Sequence, residues 1–184
     1  MNELSPPRLT VEDYLVWATS RPGRYELVNG RPIKMSPETT GHIKVKSYAW
    51  LALLEAVQQS EQNLIAVGDG ATVKITSNTA FEPGALVYAG PELPGSEMIV
   101  PAPIIVVEVI SPTSGSRDSG SKLRGYFQVP SVLHYLIVDP EDETLVHHRR
   151  GENSDVLTRT VDRDATLVLE PHGLKIDVSR FFKR

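Results

Sequence analysis

Glu108 is the residue with the clearest chemical consequence in this 184-residue sequence. It interrupts Pro103-Ile-Ile-Val-Val-Glu-Val-Ile-Ser111, a β-branched and otherwise almost continuous apolar run. Such a run reads as a central strand covered on both faces. An ionised carboxylate there costs several kcal/mol unless it is paired or bound to a metal. From the residues alone two readings stand: a functional acid, or a structural ion pair or strand end emerging into water before Pro112. Downstream, Gly115-Ser-Arg-Asp-Ser-Gly-Ser-Lys122 follows a strand and opens a helix, the context of a phosphate loop. Its spacing fails, because Ser121 separates the lysine from the second glycine and Leu123 stands where a magnesium-binding Ser or Thr belongs.

The other reactive side chains form no recognisable set. His42, His134, His147, His148 and His172 make no His-x-x-x-His or Glu-x-x-His pair. His147 and His148 on a strand point to opposite faces and cannot share a metal there. There is no cysteine, which removes disulfides, cysteine zinc sites and cysteine nucleophiles. No Gly-x-Ser-x-Gly elbow supports a serine hydrolase. Trp17, Trp50 and Tyr126-Phe127 sit at positions compatible with core packing.

The elements that must position Glu108 are readable. Thr10-Val-Glu-Asp13 matches a capping box with Asp in place of Glu, opening a short helix to about Thr19 that Pro22-Gly23 ends. Tyr25 to Met35 reads as a hairpin around Asn29-Gly30, with Tyr25, Leu27, Ile33 and Met35 alternating inward. Val45, Tyr48, Ala49, Ala52, Leu53 and Ala56 mark a helix from about Gly41 to Gln59, with a second stripe at Trp50, Leu51, Leu54 and Val57. Leu64–Val67 and Ala71–Ile75 flank Gly68-Asp-Gly70 as strand, turn and strand, and Phe81 to Tyr88 reads as a further strand. After a loop from Thr113 to Ser121, a helix from about Ser119 to Gln128 takes Asp118 as N-cap. Leu133–Asp139 reads as a second buried strand, Thr144–Arg149 and Val156–Val161 as a meander, and Pro171-His-Gly173 as a turn into Leu174–Val178. The order αββαβββαβββ implies an α+β fold with a mixed sheet, not Rossmann alternation.

Composition bounds the rest. The 20.3 kDa chain is 40% hydrophobic and 23% charged, which reads as one globular domain over residues 1–184 with 1–9 as a lead. Its longest strongly apolar run, Ile104 to Val107, is far short of the ~20 residues of a membrane helix. The N-terminus lacks the apolar core of a signal peptide. A cytoplasmic location and no membrane partner are expected. The net charge of −4 and pI of about 5.7 predict weak nucleic-acid binding, confined to a local site.

Five segments in order carry a resemblance: Tyr25-Glu-Leu-Val-Asn-Gly, Glu82-Pro-Gly-Ala-Leu-Val, Val106-Val-Glu-Val-Ile-Ser-Pro, Arg117-Asp-x-x-x-Lys-Leu and Tyr135-Leu-Ile-Val-Asp-Pro. From about Thr10 to Phe182 the chain resembles the Uma-two family of restriction-endonuclease-like domains, within the PD-(D/E)XK nuclease superfamily. The resemblance implies a mixed β-sheet flanked by helices and a metal-dependent phosphodiesterase site. It implies Glu26, Glu108 and Lys122 as catalytic residues, with Lys122 moved from the strand position occupied by Ile110 to the first turn of the following helix. Glu108 would hold Mg²⁺ or Mn²⁺. The resemblance implies an Asp after Pro as the central metal ligand, and that position is Gly84 here. Glu82, two residues earlier, is the candidate substitute, and Asp69 a weaker one. Restoring Asp at position 84 is expected to strengthen metal binding. The alternatives are a non-catalytic binding or regulatory module that keeps the nuclease fold, and a structural homodimer whose acids form only an ion-pair network.

Overall fold

The computed structural model describes residues 8–110 and 117–182. The capping box closes as read: Thr10 Oγ1 accepts from the Asp13 N–H, and Asp13 accepts from the Thr10 N–H, opening α1 (Val11–Thr19). The hairpin β1 (Tyr25–Val28) and β2 (Arg31–Lys34) turns at Asn29 and Gly30, both at positive φ. Helix α2 (Thr40–Gln59) starts at the N-cap Thr39. Five strands follow: β3 (Leu64–Val67), β4 (Val73–Thr76), β5 (Thr79–Phe81), β6 (Ala85–Ala89) and β7 (Pro103–Val109). After α3 (Arg117–Gln128) come β8 (His134–Asp139), β9 (Thr144–Arg150), β10 (Val156–Val161), β11 (Thr166–Leu169) and β12 (Leu174–Asp177).

These strands form a six-stranded sheet in the order β10-β9-β8-β7-β6-β3, a four-stranded sheet β2-β1-β5-β4, and the pair β11-β12. Within the large sheet β7 and β8 are parallel and the other pairings antiparallel. The parallel pair requires a crossover, and α3 supplies it. One face of the large sheet packs on α2, β12 and the C-terminal turn Val178–Phe182, around Leu53, Val107, Leu136 and Phe181. The opposite face packs under α3, around Val106, Tyr126 and Tyr135. A third cluster, Val11, Tyr14, Leu27 and Ala80, joins α1 to the four-stranded sheet.

Several expectations are corrected. Five strands follow each of the last two helices, against the four segments read after each and the three of the written order. Phe81 to Tyr88 is not one strand: β5 and β6 lie in different sheets and Glu82-Pro83-Gly84 crosses between them, since Pro83 has no N–H to continue a ladder. For the same reason of sheet membership β3 and β4 are not a hairpin. Ile33 is exposed because β2 is the outer strand of its sheet. β1 is covered on two sides instead, with Leu27 against α1 and Glu26 buried. The helix begins at Arg117, so Asp118 lies inside its first turn and is not the N-cap, and Lys122 falls in the second turn. Of the loop expected from Thr113, and of the N-terminal lead, residues 113–116 and 1–7 lie outside the described residues, as does the opening Gly115-Ser116 of the phosphate-loop-like segment.

Candidate active site

Three residues separated by up to 96 positions in sequence meet at one point. Lys122 Nζ donates to Glu26 Oε1 at 2.9 Å and to Glu108 Oε1 at 3.0 Å. Their side chains are 9%, 11% and 12% exposed. Each is delivered by a different element. Val107 and Val109 face α2, so strand alternation turns Glu108 to the α3 side. Glu26 comes from β1 of the smaller sheet. Lys122 comes from α3, which approaches closely because Gly125 has no side chain: a Cβ there would lie 2.5 Å from the Phe81 ring. One turn beyond Lys122, Tyr126 shares its helix face. Its hydroxyl donates to the same Glu108 Oε1 at 2.6 Å, and its ring packs edge-on to Phe81 at 5.4 Å.

Burial pushes the Glu26 carboxyl above the ordinary glutamate range. The neighbouring Glu108 charge adds to this, and the Lys122 ammonium opposes it. Burial and Glu108 likewise raise the Tyr126 hydroxyl well above its ordinary value, so it stays protonated and serves as a donor. The second hydrogen bond to Glu26 Oε1 comes from the Glu82 backbone N–H at 3.0 Å.

The crossing segment leads into a second charged group. The Glu82 carboxylate does not turn to the centre; it accepts from Arg24 Nη2 at 2.9 Å. Burial raises the Glu82 carboxyl despite Arg24's pull. Arg24 also forks onto Asp69 at 2.5 and 2.8 Å. Asp69 is half-buried, which alone would raise it, but Arg24 and Lys46 outweigh burial and hold it below the ordinary range. Lys46, 6% exposed on α2, donates to Asp69 at 3.1 Å and pairs with Glu38. Its aliphatic stem lies against Gly84. A Cβ at position 84 would sit 3.1 Å from Lys46 Cγ and 3.5 Å from its Cδ and Cε.

Thus Glu26, Glu108 and Lys122 are brought together, while Glu82 and Asp69 are occupied by Arg24 and Lys46. Among the described residues no group of three or more His, Cys, Asp or Glu side chains is arranged to hold a metal ion. What the site offers is two carboxylates on one cation position. Magnesium held by proteins commonly takes one or two carboxylates and completes its shell with phosphate and water. Glu26 and Glu108 fit that mode. Two participants escaped the sequence reading. Tyr126 was legible through its i, i+4 spacing from Lys122, and Lys46 through its place on the Ala49, Leu53 and Ala56 stripe of α2. Nothing in sequence signalled that Arg24 bridges Glu82 and Asp69.

The mixed six-stranded sheet carries Glu108, the smaller antiparallel sheet carries Glu26, and the crossover helix carries Lys122. A crystal structure described as a putative nuclease belonging to DUF820, from Anabaena variabilis, has this fold: TM-score 0.71, 17% identity, 95% of this chain and 97% of that one covered. The chain belongs to the Uma2 family, described as "Putative restriction endonuclease", whose family model matches residues 11–179. It is also similar to two uncharacterized Synechocystis proteins. With slr1290 it shares 22% identity over 178 residues, covering 96% of this chain and 93% of that one. With sll1609 it shares 24% identity over 164 residues, covering 86% and 91%.

Proposed function

We propose that this chain is a nuclease-like protein that hydrolyses phosphodiester bonds of nucleic acid at the Glu26–Glu108–Lys122 centre, slowly and with Mg²⁺ or Mn²⁺. The observation that carries the reading is the convergence of these three side chains, from three separate elements, with both carboxylates within 3.0 Å of Lys122 Nζ. The charge balance supports it. Among the described residues the linked groups contain five acids (Glu26, Glu38, Asp69, Glu82, Glu108) and three bases (Arg24, Lys46, Lys122), an acidic surplus suited to a divalent ion. Glu26 and Glu108 would hold that ion, which supplies charge neutralisation at phosphate and an acidified water.

The chain's own residues do the remaining work. Lys122 donates to the phosphate oxygen on which charge develops, a contribution of the kind worth about a hundredfold in rate. The Glu82 N–H and Lys122 hold Glu26 by its Oε1. Tyr126 fixes Glu108. The acidic surface keeps binding weak and salt-sensitive, and a cytoplasmic setting belongs to the same proposal.

A second reading, a non-catalytic module on the same fold, is favoured by one observation: the Lys46 stem crowds position 84, 3.1 Å from where a Cβ would sit. Cleavage of plasmid and single-stranded DNA at low ionic strength, with Mg²⁺ or Mn²⁺, separates the two. Slow ion-dependent cleavage that disappears in Glu108→Ala and Lys122→Ala is expected. DNA binding without cleavage at any ion concentration would leave the module. Cleavage that survives Glu108→Ala would place the chemistry elsewhere.

A further inference from the structure

On the α2 side of the large sheet, facing away from the acid centre, lies a groove of about 380 Å³ between the sheet edge β9–β10 and β11. That volume is at the small end for ligand pockets. Its walls carry His147, Arg149, Leu157, Arg159, Val168 and Glu170. The register places Arg159 opposite His147 and Leu157 opposite Arg149, so the two arginines are diagonal neighbours on one face. Neither has a hydrogen bond or ion pair among the described residues. Two adjacent guanidinium groups, neither ion-paired to Glu170 on the same wall, form a receptor for an anion that takes paired N–H donors, and phosphate matches best.

The floor adds a specific demand. His134 Nε2 lies 2.7 Å from the Glu170 carbonyl oxygen, which only accepts, so this nitrogen carries the proton. In the neutral ring His134 Nδ1 is then bare and accepts from His147 Nε2 at 2.9 Å. His147 Nε2 therefore holds that ring's proton, and its Nδ1 is a bare acceptor. The residue is 3% exposed and this atom has no partner. Burial and the nearby arginines favour the neutral rings that this chain of bonds requires. A buried lone acceptor calls for a donor. Glu170, on the wall, accepts as well. Leu157 and Val168, both exposed, provide apolar sides.

We propose that this groove binds a phosphorylated sugar, free or as a nucleotide: phosphate on Arg149 and Arg159, hydroxyl donors on His147 Nδ1 and Glu170, and the apolar body between Leu157 and Val168. The site does not depend on the nuclease reading. Calorimetry on the full chain tests it with ribose 5-phosphate, adenosine 5′-monophosphate and inorganic phosphate. The sugar phosphates bind saturably at millimolar concentration or below, and inorganic phosphate binds about tenfold or more weakly because it leaves the acceptors unmatched. Arg149→Ala with Arg159→Ala, both exposed and without partners among the described residues, lowers affinity about a hundredfold without unfolding the chain. Nitrogen-15 spectra of the histidines show the His147 Nδ1 resonance moving on ribose 5-phosphate addition. Glu108→Gln, on the other face, leaves the affinity unchanged. A 5′-phosphorylated oligonucleotide that competes assigns the ligand to a nucleic-acid end, and one that does not assigns it to a free small molecule. No saturable binding, binding indifferent to the arginine changes, or loss in Glu108→Gln overturns the proposal.

Discussion

Replacing Lys122 by Met keeps most of the stem's volume and removes the ammonium shared by Glu26 and Glu108. Neither carboxylate regains much water, since their side chains are 11% and 12% exposed. Breaking a buried ion pair by removing one partner costs about 3–5 kcal/mol. Tyr126 still donates to Glu108, and the Glu82 N–H to Glu26, which places the expected loss near the lower end, about 3 kcal/mol. At roughly 2–4 °C per kcal/mol for a chain of this size, thermal unfolding falls by about 6–12 °C. The loss depends on pH with a definite sign. Burial already raises Glu26 in the folded state, and without Lys122 it rises further. A carboxyl whose folded pKa exceeds its unfolded value contributes stability in full below the unfolded pKa, and loses it as pH rises through the folded one. The variant's deficit relative to the wild type is therefore largest at neutral pH and shrinks toward about pH 4–5, the ordinary glutamate range. Circular dichroism melts at pH 7.5 and pH 5 measure it, and Glu26→Gln added to Lys122→Met restores part of the neutral-pH loss. A deficit under about 1 kcal/mol at pH 7.5, the worth of an exposed pair, or one that is equal at both pH values, refutes the reasoning.

Three further outcomes follow from the geometry. Gly84→Asp alone leaves Mn²⁺ affinity nearly unchanged in calorimetry, because the new carboxylate stands against Lys46 and pairs with its ammonium; adding Lys46→Ala raises the affinity, and a full gain in the single variant contradicts this. Tyr126→Phe keeps the ring contacts with Phe81 and Tyr135 but removes the 2.6 Å hydrogen bond to Glu108, costing about 1.5–3 kcal/mol in urea denaturation; a neutral change would show that Glu108 finds another donor. His134 and His147 are depressed by burial to about 4 and about 3, so their contribution is complete above the unfolded value of about 6.5 and is lost as pH falls through the folded values. Urea midpoints at pH 7.5, 5.5 and 4 should decline, and His134→Gln should flatten the profile.

The parts of the fold written in short-range chemistry were legible in sequence. Thr10 with Asp13, Asn29-Gly30, and the β-branched run around Glu108 each specify local backbone. Sheet membership was not, because it depends on pairings between distant strands. Phe81 and Ala85 are four residues apart and enter different sheets, and only Pro83 hinted at the break. β11 was missed because its Thr-Leu-Val-Leu alternation is short and, unlike the equally short β12, follows no Pro or Gly turn signal. At the centre, Glu108 betrayed itself by costing too much where it stood. Glu26 and Lys122 were found through resemblance, since a glutamate in a hairpin and a lysine in a helix are ordinary by themselves. The roles of Arg24 and Lys46 exist only in three dimensions: they neutralise acids supplied by other elements.

Consecutive residues of β8 serve opposite faces of the large sheet. Tyr135 packs 5.1 Å from Tyr126, which holds Glu108, while His134 bonds His147 on the other side. A slip of β8 by one position would exchange these assignments along the whole strand. Tyrosine would enter the imidazole pair and histidine would come to lie beneath α3. Both faces would be spoiled in the same event, leaving no half-correct product. The strand thus acts as a folding checkpoint: a chain that has assembled one face correctly has, by the parity of the strand, assembled the other.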